Sequence, residues 1–187
     1  MILVNSLKYT PVKLTFGTSG LRGLVSDMTD LECYINTLGF IEFLKTYEKQ
    51  IINTVYIAGD LRESTPRIME AVAQAVTDSD LSYVNCGLIP TPALAFYAQI
   101  NKQPCIMVTG SHIPADRNGI KFYKSSGEIL KGDEDNIHKC VSSVRSRVYA
   151  ESNLFNEQGG LIKRTRLTKV VNAAKDQYFN RYINAFG

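Results

Sequence analysis

Short apolar runs alternate with longer segments of helical periodicity along the first two thirds of the chain. Apolar runs at 55–58, 81–86 and 105–108 have the length of buried strands, and each ends at or just before a glycine. Residues 64–76 and 91–100 repeat apolar positions at helical spacing, and each segment opens on a hydroxyl residue followed by proline, which predicts a hydroxyl N-cap. This alternation predicts an α/β fold, a three-layer domain with a mainly parallel mixed sheet and helices on both faces.

The flanking segments complete this prediction. They are a strand at 12–16, a glycine-rich turn at 17–23, a helix from Asp30, a hairpin turn at 124–128, a helix at 133–148, a polar loop at 150–165 and a helix at 167–186. We expect residues 1–166 to form one domain, and residues 167–187 to be a C-terminal helix leading toward a second domain that is absent from this chain. The loops after the strands should converge on one edge of the sheet, where open α/β sheets bind ligands.

Composition narrows the function classes. The 187 residues are 44% hydrophobic and 21% charged, which is typical of a globular protein with a sizeable core. The net charge of +3 comes without a block of Lys or Arg, so we expect no nucleic-acid partner but a protein suited to anionic small molecules. Signal-peptide features and membrane-length apolar runs are missing from the sequence, and we expect a cytoplasmic protein with no membrane partner.

Cysteine and histidine usage gives no metal pattern. The four cysteines form no C-x-x-C pair, so we predict free, buried thiols in a reducing compartment. The two histidines, His112 and His138, are far in sequence from any cysteine, so a zinc site is not indicated, and His138 is given no role.

Residues 109–114, Thr-Gly-Ser-His-Ile-Pro, follow a predicted strand and present Ser111 beside His112. Three interpretations are open: a structural turn, a serine hydrolase, and a phosphoserine centre. A hydrolase is disfavoured because there is no G-x-S-x-G elbow and a histidine directly after a serine usually points away from it. A phosphoserine centre fits the cations nearby, since Lys121 opens the next apolar run.

Two upstream loops bear on this choice. The loop at 17–23 has small residues that leave backbone donors accessible, and Arg22 is a forked cation, so the loop is suited either to an anion or to a tight turn with a solvated arginine. In the loop at 59–64, Asp60 and Arg62 are expected to form a structural ion pair or to hold neighbouring loops rather than to do chemistry.

Four segments in order resemble the N-terminal domain of the α-D-phosphohexomutases, the family of phosphomannomutases and phosphoglucomutases. They are 16–23 (Phe-Gly-Thr-Ser-Gly-Leu-Arg-Gly), 59–64 (Gly-Asp-Leu-Arg-Glu-Ser), 90–94 (Pro-Thr-Pro-Ala-Leu), and 109–114 continuing to 118–122 (Asn-Gly-Ile-Lys-Phe). The resemblance covers roughly residues 12 to 135.

The resemblance implies that phosphorylated Ser111 exchanges its phosphoryl group with a hexose phosphate through a 1,6-bisphosphate, which also serves as activator. Arg22 and Lys121 would stabilise charge or assist proton transfer, and His112 would be a nearby donor. Thr18 and Ser19 would contact the substrate. Mg²⁺ bound to phosphorylated Ser111 would neutralise charge on the transferring group.

The chain also departs from the family pattern. Family members commonly have alanine where Gly110 stands and asparagine where Ile113 stands, and we expect Gly110 to loosen the loop. The D-G-D-G-D-R metal loop and the sugar- and phosphate-binding loops of later domains are missing. The sequence therefore predicts an isomerase domain that is weakly active or inactive alone, with mannose favoured as the sugar. The alternative is a catalytically incomplete module that binds a sugar phosphate or a partner, and apolar positions near the C-terminus suggest a homodimer.

Overall fold

The computed structural model describes residues 3–17 and 20–187. Its strands are β1 (Thr15–Gly17), β2 (Gly20–Leu24), β3 (Thr54–Gly59), β4 (Ser82–Leu88), β5 (Cys105–Val108), β6 (Arg117–Lys124) and β7 (Gly127–Glu128). Its helices are α1 (Leu3–Ser6), α2 (Asp30–Thr46), α3 (Thr65–Thr77), α4 (Thr91–Ile100), α5 (Glu134–Glu151) and α6 (Ala173–Phe186), with a 3₁₀ turn at Lys131–Asp133.

The strands form one mixed sheet in the order β1-β2-β6-β5-β3-β4, with β7 paired to β6. β3 pairs in parallel with β4 and β5, while β6 pairs antiparallel with both β5 and β2. Strands β2 to β5 therefore run in one direction and β6 runs against them. The predicted α/β fold with a mixed sheet is confirmed, but among the described strands antiparallel pairings outnumber the parallel ones, which are confined to the half around β3.

Helices cover both faces of the sheet, as predicted. On β3, Val55 and Ile57 face one core, and Tyr56 and Ala58 face the other, because successive strand residues point to opposite sides. The first core packs under α2, α3 and α5, and the second under α4 and α6. β3 and β5, two of the strands that carry the loops of interest, are thus buried on both faces, which gives those loops a rigid base.

Two predicted boundaries are wrong. The glycine-rich segment is no open turn in its described part, because Gly20 to Leu24 form β2. Gly20 permits this pairing, since a Cβ there would lie 2.9 Å from the Lys121 Cα. The C-terminal helix begins at Ala173 rather than at residue 167. The preceding backbone is captured by β4, where the Asn85 amide donates to the Thr168 carbonyl (2.7 Å) and the Val171 N–H donates to the Asn85 carbonyl (2.8 Å).

All four cysteines are free and buried, as predicted. Burial raises the pKa of the Cys86 thiol to about 12 and raises those of the other three as well. Within residues 3–17 and 20–187, the helices are all too short or too polar to cross a bilayer.

Candidate functional site

A cavity of 810 Å³ lies beyond the carboxyl ends of β3, β4 and β5. Three of the four predicted loops line it, so their convergence is confirmed, while the described part of the 17–23 loop does not line it. The lining residues are Gly59, Asp60, Leu61, Arg62, Leu88, Ile89, Pro90, Thr91, Met107, Thr109, Ser111, Ile113 and Ala115.

Ser111 is exposed at this cavity, and its backbone has a conformation that is uncommon for residues other than glycine. Its φ is +54°, in the left-handed region, where a residue other than glycine needs support from its surroundings. Part of that support is the Ser111 N–H, which donates to the Thr109 Oγ1 at 2.9 Å. The Ser111 Oγ lies 3.3 Å from the Nδ1 of His112, so the structure brings this predicted pair together.

The Arg62 guanidinium donates hydrogen bonds to the backbone of the Ser111 loop. Its Nη1 donates to the carbonyls of Pro114 (2.7 Å) and Arg117 (3.1 Å), and its Nη2 donates to those of Ile113 (2.6 Å) and Ser111 (3.3 Å). The remaining Nε lies 3.3 Å from a carboxylate oxygen of Asp60. Both terminal nitrogens of the guanidinium therefore donate to carbonyls of the Ser111 loop, and Nε faces the Asp60 carboxylate beside it.

The Asp60 carboxylate accepts hydrogen bonds that join its own loop to the Ser111 loop. Its Oδ2 accepts the N–H of Gly110 (3.0 Å), and its Oδ1 accepts the N–H of Arg62 (3.1 Å) and the hydroxyl of Thr65 (2.6 Å). Burial alone would raise the pKa of Asp60, but hydrogen bonds from Thr65, Arg62, Gly110 and Thr109 outweigh it and hold that pKa below its ordinary value. The prediction that Asp60 and Arg62 pair and hold neighbouring loops is confirmed.

Asn118 fixes the far end of the loop. It is fully buried, and its amide donates to the Ser64 Oγ (2.9 Å) and the Thr65 Oγ1 (3.1 Å). Ser64 occupies the N-cap position of α3, as predicted, but it has helical φ and ψ and makes no capping bond. The predicted hydroxyl N-cap of α4 is wrong, since Pro90 occupies that position.

Gly110 does not loosen the loop. A Cβ at Gly110 would overlap the Nε and Cζ of Arg62 and would lie 2.7 Å from Nη2, well inside the 3.0 Å limit of real contacts. Glycine here lets the guanidinium pack against the loop backbone, so the expectation of a looser loop is wrong.

Arg22 and Lys121 lie on neighbouring strands. Arg22 on β2 is opposite Gly119 on β6, and Lys121 on β6 is opposite Met107 on β5. Strand alternation puts both on the sheet face that carries Met107, away from the core that holds Ile120. Neither cation lines the cavity as it is described, and Arg22 lies in a strand rather than in an anion-binding loop. The predicted substrate contacts Thr18 and Ser19 lie outside the described residues.

Comparison with known proteins decides the family. Residues 13–148 match the family model described as phosphoglucomutase/phosphomannomutase, alpha/beta/alpha domain I. The chain belongs to the phosphoglucomutase/phosphomannomutase family. The resemblance predicted from the four motifs is thereby confirmed, and the match contains the whole Ser111 loop.

Curated relatives carry two names. A phosphomannomutase of Salmonella muenchen is 46% identical over 66% of this chain and 26% of its own length. A phosphomannomutase of Sinorhizobium fredii (strain NBRC 101917 / NGR234) is 34% identical over 89% of this chain and 34% of its own length. A phosphoglucosamine mutase of Helicobacter pylori (strain HPAG1) is 30% identical over 90% of this chain and 35% of its own length. The chain thus spans about a quarter to a third of these relatives.

Solved structures support the fold. A phosphoglucomutase/phosphomannomutase family protein of Burkholderia thailandensis superposes with a TM-score of 0.63 at 23% identity, over 89% of this chain and 34% of that one. A putative phosphomannomutase of Thermus thermophilus gives a TM-score of 0.64 at 21% identity, over 95% of this chain and 37% of that one.

The described residues do not by themselves fit the Mg²⁺ that the family resemblance implies. Mg²⁺ prefers several oxygen ligands in octahedral geometry. In the part of the chain that the structure describes, no three His, Cys, Asp or Glu side chains are grouped to hold a metal. The carboxylate that lines the cavity beside Ser111 is that of Asp60, and both its oxygens already accept hydrogen bonds from the loops. The described residues alone therefore lack the ligand set for a metal-dependent step.

Sequence reasoning did not assign two of the residues that shape this site. Thr109 supports the Ser111 N–H, and Asn118 joins the loop to α3. Asn118 stands in the quoted motif, and a polar residue directly before the apolar run of β6 is a signal for a buried amide. Its partners, more than fifty positions upstream, carry no such signal.

Proposed function

We propose that this chain carries the phosphoryl-transfer serine of a hexose-phosphate mutase and that this serine is Ser111. The observation that supports the proposal is the exposed Ser111 hydroxyl, held at φ +54° on a clamped loop at the 810 Å³ cavity. The curated relatives are named for phosphomannose and phosphoglucosamine substrates, and we favour a mannose phosphate. The activity is that of the whole family protein, of which this chain spans a part.

The proposed reaction is a transfer in two directions. A sugar hydroxyl oxygen attacks the phosphorus on Ser111, a new O–P bond forms, and the bond between phosphorus and Ser111 Oγ breaks. The hydroxyl proton passes to a base, and the Oγ takes up a proton. The resulting 1,6-bisphosphate then turns over and returns its other phosphoryl group to Ser111. The net result is isomerisation of a 1-phosphate and a 6-phosphate with no gain or loss of phosphate.

Neighbouring residues fit the requirements of this step. A serine hydroxyl is a weak nucleophile and a poor leaving group, so positive charge and proton donors must assist it. We assign His112, 3.3 Å from the Ser111 Oγ, as a proton donor or acceptor there. We assign Arg22 and Lys121 to charge stabilisation or proton transfer, with Thr18 and Ser19 contacting the sugar phosphate. Phosphorylated Ser111 would help to hold Mg²⁺, which would supply neutralisation of charge on the transferring phosphoryl group.

The test is phosphorylation of Ser111 by glucose 1,6-bisphosphate, followed by intact-mass analysis. The reaction is run with the 187-residue chain, and with the chain joined to the part of the Salmonella muenchen phosphomannomutase that follows the matched region. Ser111→Ala is compared with Ser126→Ala, which alters an exposed serine between β6 and β7. We expect one phosphoryl group in the parent and in Ser126→Ala, and none in Ser111→Ala.

Two results would overturn the proposal. One is the absence of phosphate on Ser111 in both proteins, and the other is a Ser111→Ala protein that still turns over. Binding of a hexose phosphate without any phosphorylation would instead favour the alternative, a sugar-phosphate-binding module.

The four unpaired buried thiols accord with the reducing conditions of the cytoplasm, where we expect the protein to act.

A further inference from the structure

Arg62 is the cationic side chain that the described residues tie most closely to the Ser111 loop, yet its contacts there are with the backbone alone. The hydrogen bonds of its two terminal nitrogens go to carbonyls of residues 111, 113, 114 and 117. One acceptor is the carbonyl of Ser111 itself, so the guanidinium fixes the peptide that follows the reactive side chain. The planar guanidinium reaches these carbonyls and Asp60 at the same time because its N–H groups form a fixed fork.

The charge of Arg62 is already balanced. Its Nε lies 3.3 Å from the Asp60 carboxylate, and the side chain of Arg62 is only 18% exposed. A cation that acts directly on a phosphoryl group needs uncommitted N–H donors, whereas both terminal nitrogens of Arg62 donate to loop carbonyls and its Nε pairs with Asp60. Arg62 therefore differs in kind from Arg22 and Lys121, for which no hydrogen bond or ion pair within the described residues competes with an anion.

The loop needs such support because of its backbone. Ser111 has a positive φ of 54°, and Ser111, His112 and residues 114–117 are exposed, so little apolar packing restrains them. Asp60 accepts the N–H of Gly110 at the start of the loop, and Asn118 binds Ser64 and Thr65 at its end. Arg62 spans the middle, where no other side chain supplies hydrogen bonds to those carbonyls among the described residues.

We propose that Arg62 is a positioning residue for phosphoryl transfer at Ser111. It holds the Ser111 peptide in its left-handed conformation and so aims the Oγ at the cavity, without touching the reacting atoms. This inference rests on the proposed function of Ser111. A misplacement of the Oγ by about 1 Å costs about 100-fold in rate, while substrate binding, which depends on other groups, is little affected.

The test measures the rate of Ser111 phosphorylation against glucose 1,6-bisphosphate concentration in Arg62→Ala and Arg62→Lys, using the 187-residue chain and the joined protein. Arg147→Lys is the matched control, because Arg147 pairs with Glu42 on a distant surface of α2 and α5. We expect the maximal rate to fall about 100-fold in both Arg62 variants, with the half-saturating concentration changed by less than about threefold. Lysine keeps the charge and loses the fork, so it should not rescue the rate.

The phosphorylation rate in the presence of added guanidinium ion distinguishes a positioning role of Arg62 from a role in stability alone. At concentrations that leave the unfolding midpoint unchanged, guanidinium should restore part of the rate in Arg62→Ala, and methylammonium should not. The inference is overturned if Arg62→Lys keeps its rate within about twofold, if the loss lies in the half-saturating concentration alone, or if guanidinium has no effect. A parent protein that takes no phosphate on Ser111 marks failure of the proposed function, whereas full activity in both Arg62 variants beside an inactive Ser111→Ala marks failure of this inference alone.

Discussion

Gly110 gives the sharpest prediction about the stability of the loop. A Cβ at this position would overlap the guanidinium of Arg62, so Gly110→Ala must displace that group from the loop carbonyls. No positive φ is involved at Gly110, so the cost arises from the displaced neighbour and not from backbone strain.

The magnitude follows from the bonds that are lost. The two short bonds, to Ile113 (2.6 Å) and Pro114 (2.7 Å), are each worth about 1 kcal/mol net, since water partly replaces them. Alanine restricts the unfolded chain and returns about 0.4–1 kcal/mol. We therefore expect Gly110→Ala to lower the free energy of unfolding by about 1–2 kcal/mol, or Tm by about 2–8 °C in a domain of this size. Phosphorylation of Ser111 should slow as well.

Gly132→Ala is the matched control, because a Cβ at Gly132 meets nothing within 4 Å and its φ is not positive. Urea unfolding of both variants, and of each in an Arg62→Ala background, gives a double-mutant cycle. With the guanidinium removed, Gly110→Ala should stabilise the protein by the about 0.4–1 kcal/mol that alanine contributes through the unfolded chain, so the coupling energy between positions 62 and 110 should be about 2 kcal/mol. Gly110→Ala with parental stability and parental phosphorylation rate would refute the packing of Arg62 against the loop.

Three further predictions concern pH, the buried ion pair and association. Because the pKa of Asp60 is lowered in the folded protein, its carboxylate stabilises the fold at pH values above its ordinary pKa of 3.8, and this contribution disappears as pH falls through the folded-state pKa. The difference in unfolding free energy between parent and Asp60→Asn, measured by urea unfolding, should therefore shrink below about pH 4. A pH-independent difference would contradict the assignment. Arg145→Ala leaves the fully buried Glu32 carboxylate without its charged partner and should lower the free energy of unfolding by about 3–5 kcal/mol. Loss of the exposed pair of Arg147 with Glu42 should lower it by less than about 1 kcal/mol. Equal effects would contradict a larger contribution from the buried pair. Exposed apolar side chains on α6 motivate the predicted homodimer, and a monomer in light scattering at high concentration would count against it.

Strands followed by helices were predictable because one physical signal defines each. The run at 105–108 is apolar throughout because β5 is buried on both faces, and Gly59, the last residue of β3, lies where α3 approaches. A Cβ at Gly59 would lie 2.7 Å from the Sδ of Met69 on α3, which explains why only glycine fits there. Signals of this kind act within a few residues and survive in the sequence alone.

Contacts between distant segments were not predictable in the same way. The backbone of 167–172 follows β4 because Asn85 binds Thr168, more than eighty positions away, and its local helical periodicity gave the wrong start for α6. The hydroxyl of Ser64 serves Asn118 rather than its own helix end. The pairing of Asp60 with Arg62 was predictable because both lie in one short loop, but the four carbonyls that Arg62 binds belong to another loop.

The most direct test of the central claim is peptide-level localisation of phosphate after incubation with glucose 1,6-bisphosphate. We predict that the phosphoryl group is on Ser111 and that it is removed again when a hexose phosphate is added. Phosphate on Thr109 or Ser126 instead, or a phosphate on Ser111 that hexose phosphate cannot remove, would contradict it.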